Sequence, residues 1–273
     1  MGEHFVGKFG DGPRRALIAI CTLTSIQNKP YATHMQFAYR LAKDNPEWQF
    51  VLFTPYRMSI ANFRNYSVKA ALETEADYIF FMDDDSVLLG NASIFKYLKD
   101  KIDNDPNKHI ISPIVYVRGY PFEPMFFSEV KDEKIRIKEG KGIDFFRDFK
   151  NHPTDENKLI RVEAVGCHNT LIKTEIFKAL EQPYFLTTLN NTEDIYFCMK
   201  CKEFIENIGI FVDTSITVGH LLDPLYVDDN NVESLRKMYK ELQLFETIEI
   251  AQFFKQPDQI EDELKKLGEK FEK

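Results

Sequence analysis

The sequence predicts an α/β domain: a central, mostly parallel sheet flanked by helices, with a helical extension at its C-terminus. Three observations carry this. Apolar segments of strand length and segments of helical period alternate strand, helix, strand, helix, strand between Ala16 and Met82, the order that a parallel sheet with crossover helices requires. The chain has 273 residues, 44% of them hydrophobic, enough for a large domain whose core needs no staples. Neither an internal repeat nor a linker divides it, and its 12 Gly and 12 Pro exclude collagen-like, low-complexity and disordered chains.

Residues 1–15 are Gly-rich and charged and read as a loose arm, and Ala16–Cys21 as a short buried strand. Tyr31–Asn45 places Met35, Ala38, Tyr39 and Ala42 at helical spacing and ends before Pro46. Trp48–Thr54 is the second strand. Ser59 is placed to cap a helix to about Thr74, with Ile60, Phe63, Val68, Ala71 and Leu72 on its inner side. Asp77–Met82 is the third strand, apolar to its end. Beyond it the pattern loosens. Ala92–Ile102 reads as a helix, His109–Val117 as a strand, Tyr120–Ile137 as paired strands and polar Gly140–Lys158 as a long loop. Leu159–Ile172 is strand-like, Thr174–Leu180 and Thr192–Ile208 are helical, and Ile210–His220 holds short strands. Asn231–Phe254 is a helix or helix pair, followed by a charged amphipathic tail, Asp258–Lys273.

Lys and Arg total 35 against 43 Asp and Glu, a net charge of −8, which speaks against nucleic-acid binding through bulk charge. No apolar run has the roughly 18–20 residues of a membrane span. Arg14-Arg15 before Ala16–Leu23 imitates a signal peptide, but acidic and polar residues precede the pair and no small-residue cleavage site follows. A cytoplasmic protein with reduced thiols at Cys21, Cys167, Cys198 and Cys201 is therefore expected.

The strongest local signal is Phe80-Phe81-Met82-Asp83-Asp84-Asp85-Ser86. Three adjacent carboxylates repel one another and need a counter-charge at the end of a buried strand. Ligands of parallel sheets bind beyond the carboxyl ends of the strands. In an extended segment Asp83 and Asp85 point to the same side, offering two oxygens to a hard divalent cation, Mg²⁺ or Mn²⁺, whose remaining ligands come from water and substrate phosphates. In an arbitrary loop the same triplet is a solvated turn.

An apolar strand ending in Asp-x-Asp resembles the nucleotide-sugar site of GT-A glycosyltransferases, in particular short family-two-like bacterial and phage members. Arg64-Asn65 resembles the Arg-Asn pair that precedes that strand, and Val165-Gly166 with Leu171-Ile172-Lys173 the stretch before the acceptor site. Thr192-Glu193-Asp194-Ile195 resembles the Glu-Asp motif opening the catalytic helix, and Val218-Gly219-His220 the late histidine that ligates metal in some members. The matches span roughly residues 16–222 in the expected order. The resemblance implies a GT-A (Rossmann-like) fold: an arm, 1–15; a catalytic domain, 16–230, with a nucleotide-binding half, 16–117, and an acceptor half, 118–230; and a helical extension, 231–273. It implies transfer of a sugar from a nucleoside diphosphate sugar, a UDP-sugar foremost, to a hydroxyl group of a glycan, a protein or a modified DNA base.

The implied roles follow. Asp85 and His220 would touch the metal, and Asp83 the metal or the ribose, supported by Asp84. Asp194, beside Glu193, would take the acceptor proton in an inverting reaction, at a helix start whose dipole favours the carboxylate. Thr22 and Thr24 would hold base and ribose. Arg57, Arg64 and Asn65 lie near the diphosphate, Arg118 by the donor sugar or acceptor and Gly166 on the acceptor side, with His168 a further contact there. Cys198-Met199-Lys200-Cys201, inside a helix without a second pair, reads as structural and not as a zinc or redox motif. Basic residues between Lys131 and Lys150, interleaved with acids, leave a solvated lid and a DNA contact both open. The apolar C-terminal helices dock on their own domain or form a dimer contact. Two rivals remain: a nucleotidyltransferase, disfavoured because Thr22–Lys29 contains no Gly to cradle a phosphate, and a non-catalytic nucleotide- or carbohydrate-binding module.

Overall fold

β1 (Arg14–Cys21), α1 (Asn28–Asp44), β2 (Trp48–Phe53), α2 (Ile60–Glu73) and β3 (Tyr78–Asp83) follow one another as the apolar alternation predicts. The computed structural model describes residues 14–22, 26–55, 58–119, 122–130, 143–145, 159–188, 191–222 and 225–241. α1 begins at Asn28 and not at Tyr31, because Pro30 falls in its first turn, where a missing N–H costs nothing. Ser59 holds the N-cap position of α2 but makes no side-chain cap bond.

The second half is built from β4 (Ser86–Val87), α3 (Ile94–Asp103), β5 (Ile110–Ile114), β6 (Phe126–Val130), β7 (Ile143–Phe145), β8 (Leu159–Arg161), β9 (Ala164–Val165) and β10 (Thr170–Lys173). A single 3-10 stretch, Thr174–Ala179, replaces the helix expected there. α4 (Glu193–Phe204), β11 (Ile210–Thr217), β12 (Gly219–Leu222), β13 (Leu225–Val227) and α5 (Val232–Glu241) complete it. Within the stretch 140–158 read as a loop, 143–145 form β7 against β6. The remainder of that stretch, the basic residues between 131 and 150, and the chain beyond 241 lie outside the described residues.

The chain divides into two compact units. One comprises residues up to Arg118 and Glu123–Asp228. Its seven-stranded sheet runs β2-β1-β3-β10-β5-β11-β8, with β10 and β8 antiparallel to the rest. Two three-stranded sheets, β13-β12-β4 and β7-β6-β9, attach to it. The other unit comprises Gly119–Phe122 and the residues from Asp229. There the Arg236 guanidinium donates to the Phe122 carbonyl at 2.9 Å and pairs with Glu233 at 2.8 Å, holding α5 to the turn in which Phe122 adopts φ 56°. No helix among the described residues is long and apolar enough to cross a membrane.

β3 is buried on both faces, which is why its sequence is apolar without alternation. Phe80 packs on Phe37 of α1 and Phe95 of α3, with ring centroids 5.5 and 6.1 Å away. Phe81 points to the opposite face, against Phe63 of α2 and Phe185, at 6.2 and 5.6 Å. Residues of odd number in β3 therefore face α2. That parity decides where Asp83 goes.

Candidate metal centre and transfer site

Parallel strands deliver their C-terminal ends to one edge of a sheet. Here β1, β3, β5 and β11 bring Cys21–Thr22, Asp83, Tyr116–Arg118 and Gly219-His220 to that edge. β10 runs the other way, so the segment before it, Gly166–Asn169, arrives at the same edge. β4 pairs with β12 and sets His220 opposite Ser86, and the Leu221 N–H donates to the Asp85 carbonyl at 3.0 Å.

Asp85, His168 and His220 meet there, each offering one ligand atom within 4.8 Å of the others. His220 Nε2 lies 3.3 Å from Asp85 Oδ2, and His168 Nδ1 3.9 Å from Asp85 Oδ1. The imidazole rings sit 4.6 Å apart. Asp85 keeps its charge: burial opposes ionisation, but the His220 contact, His168 and Arg118 hold its carboxyl far below the usual range. Burial, with His168 nearby, pushes the His220 imidazolium down, so the neutral ring is favoured. His220 Nδ1 is 2.8 Å from the Tyr116 carbonyl, which only accepts. Nδ1 therefore carries a proton, and Nε2 faces a carboxylate oxygen 3.3 Å away, an approach that either a proton or a metal ion between the two would bridge. A backbone carbonyl that fixes the tautomer is also the usual outer contact of a ligating histidine. The donor set fits a divalent metal.

Asp83 is not among the three. The expectation that Asp83 and Asp85 share a side assumed an extended chain, but β3 ends at Asp83 and the chain turns at Asp84-Asp85. Asp83 continues the parity of Phe81 toward α2. Its Oδ1 lies 3.6 Å from Arg64 Nη2, and its Oδ2 3.0 Å from His168 Nδ1. Burial raises its pKa, but Arg64 and then His168 reverse the shift and lower it. Asp84 stands in the turn, its N–H donating to the Cys21 carbonyl at 3.1 Å.

Arg64 and Asn65 differ from their expected place at the diphosphate. Arg64 is 2% exposed. Its Nε donates to Glu193 Oε1 at 3.0 Å, its Nη1 to the Cys167 carbonyl at 3.0 Å, and its guanidinium lies over the Phe81 ring. Burial works against its charge, yet Asp83, Cys167, Glu193 and Asp194 raise its pKa. Asn65 is spent on backbone, donating to the Phe185 carbonyl at 2.7 Å and accepting from the Tyr184 and Phe185 N–H groups. Arg64 lies on the buried face of α2, whereas Asn65 is partly buried.

At the start of α4, burial and then the Asp194 charge push the Glu193 carboxyl up, against Arg64. Asp194 Oδ1 accepts from the Thr192 hydroxyl and, at 2.8 Å, from the Ile195 N–H. A Cβ on Gly166 would lie 3.4 Å from Asp194 Oδ2 and 2.6 Å from Met125 Cε, so only glycine lets this loop approach the helix. Arg118 is 56% exposed, with Nη1 3.0 Å from Asp85 Oδ2. Cys21 ends β1 in register with Asp83, and Thr22 follows it; Thr24 and Arg57 lie outside the described residues. Cys198 and Cys201 are buried within α4, where burial pushes both thiols far up, as suits packing. His168, expected only as an acceptor contact, is the member of the cluster that sequence reasoning missed. The available signal was a histidine just ahead of the strand-like Thr170–Lys173.

No family model matches the sequence, and no curated protein matches it. Among solved structures, the A197 protein from STIV is 18% identical and superposes with a TM-score of 0.51, covering 80% of this chain and 91% of that one. Residues 1–349 of TarS from S. aureus give 15% identity, 74% and 61% coverage and a TM-score of 0.40. The 4-diphosphocytidyl-2C-methyl-D-erythritol synthase of Anaerococcus prevotii gives 8%, 84% and 97%, and 0.41. The likeness to the A197 protein is one of fold, a mostly parallel sheet that here has a reversed fourth member.

Proposed function

We propose that the chain is a metal-dependent glycosyltransferase that moves a sugar from a nucleoside diphosphate sugar, a UDP-sugar foremost, to a hydroxyl acceptor in the cytoplasm. The observation that carries the reading is the convergence of Asp85, His168 and His220 on the C-terminal edge of this sheet. Arg64 ties Glu193 and its neighbour Asp194 to that edge through Asp83 and the Cys167 carbonyl. In the proposal 16–230 is the catalytic domain, with the donor on 16–117 and the acceptor on 118–230.

Asp194 is the base. Two donors fix Oδ1, which orients Oδ2 toward the Gly166 loop. It takes the acceptor hydroxyl proton as the acceptor oxygen bonds to the anomeric carbon. The bond from that carbon to the diphosphate oxygen breaks, and its electron pair leaves with the nucleoside diphosphate. Attack opposite the leaving group inverts the anomeric centre. Arg118, half exposed beside Asp85, would meet a phosphate, and Thr22 would contact the nucleoside. A divalent ion held by Asp85, His168 and His220 would supply positive charge opposite the departing diphosphate.

The test is thermal stability of the metal-stripped chain with UDP-, GDP- and CDP-sugars, with and without Mn²⁺. A donor at a hundred times its dissociation constant adds about 2.7 kcal/mol. If no nucleotide stabilises the metal-loaded protein, the reading fails.

A further inference from the structure

We infer that this centre is a two-imidazole, one-carboxylate site that selects its metal by affinity for nitrogen, taking Co²⁺, Zn²⁺ or Fe²⁺ over Mn²⁺ and all of these over Mg²⁺. The inference rests on the metal reading above and goes beyond it by deciding which ions the residues accept. Mg²⁺ is held by carboxylates, phosphates and retained water, and imidazole does little for it. A site meant for it would present both aspartates of the Asp-x-Asp pair. Here one of the two, Asp83, is paired with Arg64 and lies outside the cluster, and two buried histidines stand in the cluster instead.

Both rings are prepared for ligation by groups behind them. His220 is fixed with its proton on Nδ1 by the Tyr116 carbonyl, which leaves Nε2 for a metal. His168 Nε2 lies 2.9 Å from Ser86 Oγ, and that oxygen also receives the Asn169 amide at 2.8 Å. Ser86 Oγ has two lone pairs, so it can accept the His168 Nε2–H as well. In that tautomer Nδ1, which lies 3.0 Å from Asp83 Oδ2 and 3.9 Å from Asp85 Oδ1, can take a metal in place of the proton it otherwise shares with Asp83. Ser86 and Asn169 are fully buried, so water does not substitute for them. Ser86 is also the residue whose pairing with His220 closes the site from the other side.

Three measurements on the full chain test this. After chelation and dialysis, Co²⁺ is titrated against its visible spectrum and displaced by the other ions. Co²⁺ should outcompete Mg²⁺ by at least about a hundred-fold and Mn²⁺ by a smaller factor. Mn²⁺-loaded wild type, read by pulsed electron paramagnetic resonance, should show two imidazole nitrogens. Ser86→Ala, which removes only the outer contact, should weaken Co²⁺ binding about 10–100-fold. His168→Gln should weaken it at least as much, with its folding checked by melting in metal-free buffer. Displacement of Co²⁺ by Mg²⁺ at equal concentration, or one imidazole nitrogen in place of two, would overturn the inference. The two wild-type measurements decide it even if a variant fails to fold. Nucleotide stabilisation with Mg²⁺ as good as with Co²⁺ would sink this selectivity and leave the transferase reading standing. A nitrogen-bound metal with no nucleotide response would do the reverse.

Discussion

Arg64→Met removes a buried cation and keeps its length. Arg64 is 2% exposed and neutralises two carboxylates, Glu193 at 3.0 Å and Asp83 at 3.6 Å. Losing one partner of a buried ion pair costs about 3–5 kcal/mol, because the remaining charge stays desolvated. Most of that cost falls on Glu193, whose side chain is 8% exposed, since Asp83 is 22% exposed and keeps His168. At 2–4 °C per kcal/mol for a domain of this size, the melting temperature should fall by roughly 6–20 °C at pH 8. The cost depends on pH in a definite direction. Burial already raises the Glu193 pKa above its unfolded value, and loss of Arg64 raises it further. The penalty is then complete above the folded value and is relieved as pH falls through it, when Glu193 takes up a proton. Urea unfolding at pH 8 and pH 5 should therefore show a much smaller deficit at pH 5. Arg64→Met with Glu193→Gln should recover about 1–3 kcal/mol relative to the sum of the single changes. A deficit under about 1 kcal/mol at pH 8, or one that is equal at both pH values, would refute the reasoning.

Asp194→Asn should abolish sugar transfer while the donor still stabilises the protein; transfer at the wild-type rate in a coupled diphosphate-release assay rules Asp194 out as base. Arg118→Ala removes the cation that shares Asp85 and should tighten Co²⁺ or Mn²⁺ binding by calorimetry about 2–5-fold, the worth of an exposed ion pair; unchanged or weaker binding means that Arg118 does not compete with the metal. Burial, and after it the His168 charge, pushes His34 down from 6.5 to about 4 despite the Ser86 carbonyl. A depressed histidine contributes stability above pH 6.5 that is lost as pH falls toward 4, here about 3 kcal/mol. His34→Gln should flatten that part of a urea-midpoint profile, and a profile as steep as the wild type's contradicts the assignment.

The sheet was legible where burial writes itself into local pattern. Phe80 and Phe81 are both apolar because β3 is covered on both faces, and the acids begin where that cover ends. What local pattern does not carry is the pairing of distant segments. Asp83 and Asp85 look equivalent two residues apart, until a turn at Asp84 separates them and parity sends Asp83 to α2. His168 reaches this edge only because β10 is inserted backwards between β3 and β5, which no nearby residue announces. Arg64 resembles a surface arginine on a helix; its burial follows from carboxylates that lie far along the chain.

Charge unites these separate pieces. Asp83, Asp85, Glu193 and Asp194 stand at one edge of the sheet with Arg64 and Arg118 among them, and burial favours neutral His220. The carboxylates outnumber the two guanidinium groups in a partly buried cluster, and a divalent cation would offset the excess. The guanidinium groups also divide the cluster. Arg64, buried, serves Asp83 and Glu193 and cannot leave them without stranding both. Arg118, half exposed, serves Asp85 alone and can turn toward a ligand. When Arg118 turns toward a ligand, the Asp85 charge is left facing the two imidazoles. Stripping the metal should then destabilise the protein more at pH 8 than at pH 5, because protons compete with a metal for its ligands, and a melting temperature that responds equally to chelator at both pH values would show that the cluster balances its charge without an ion.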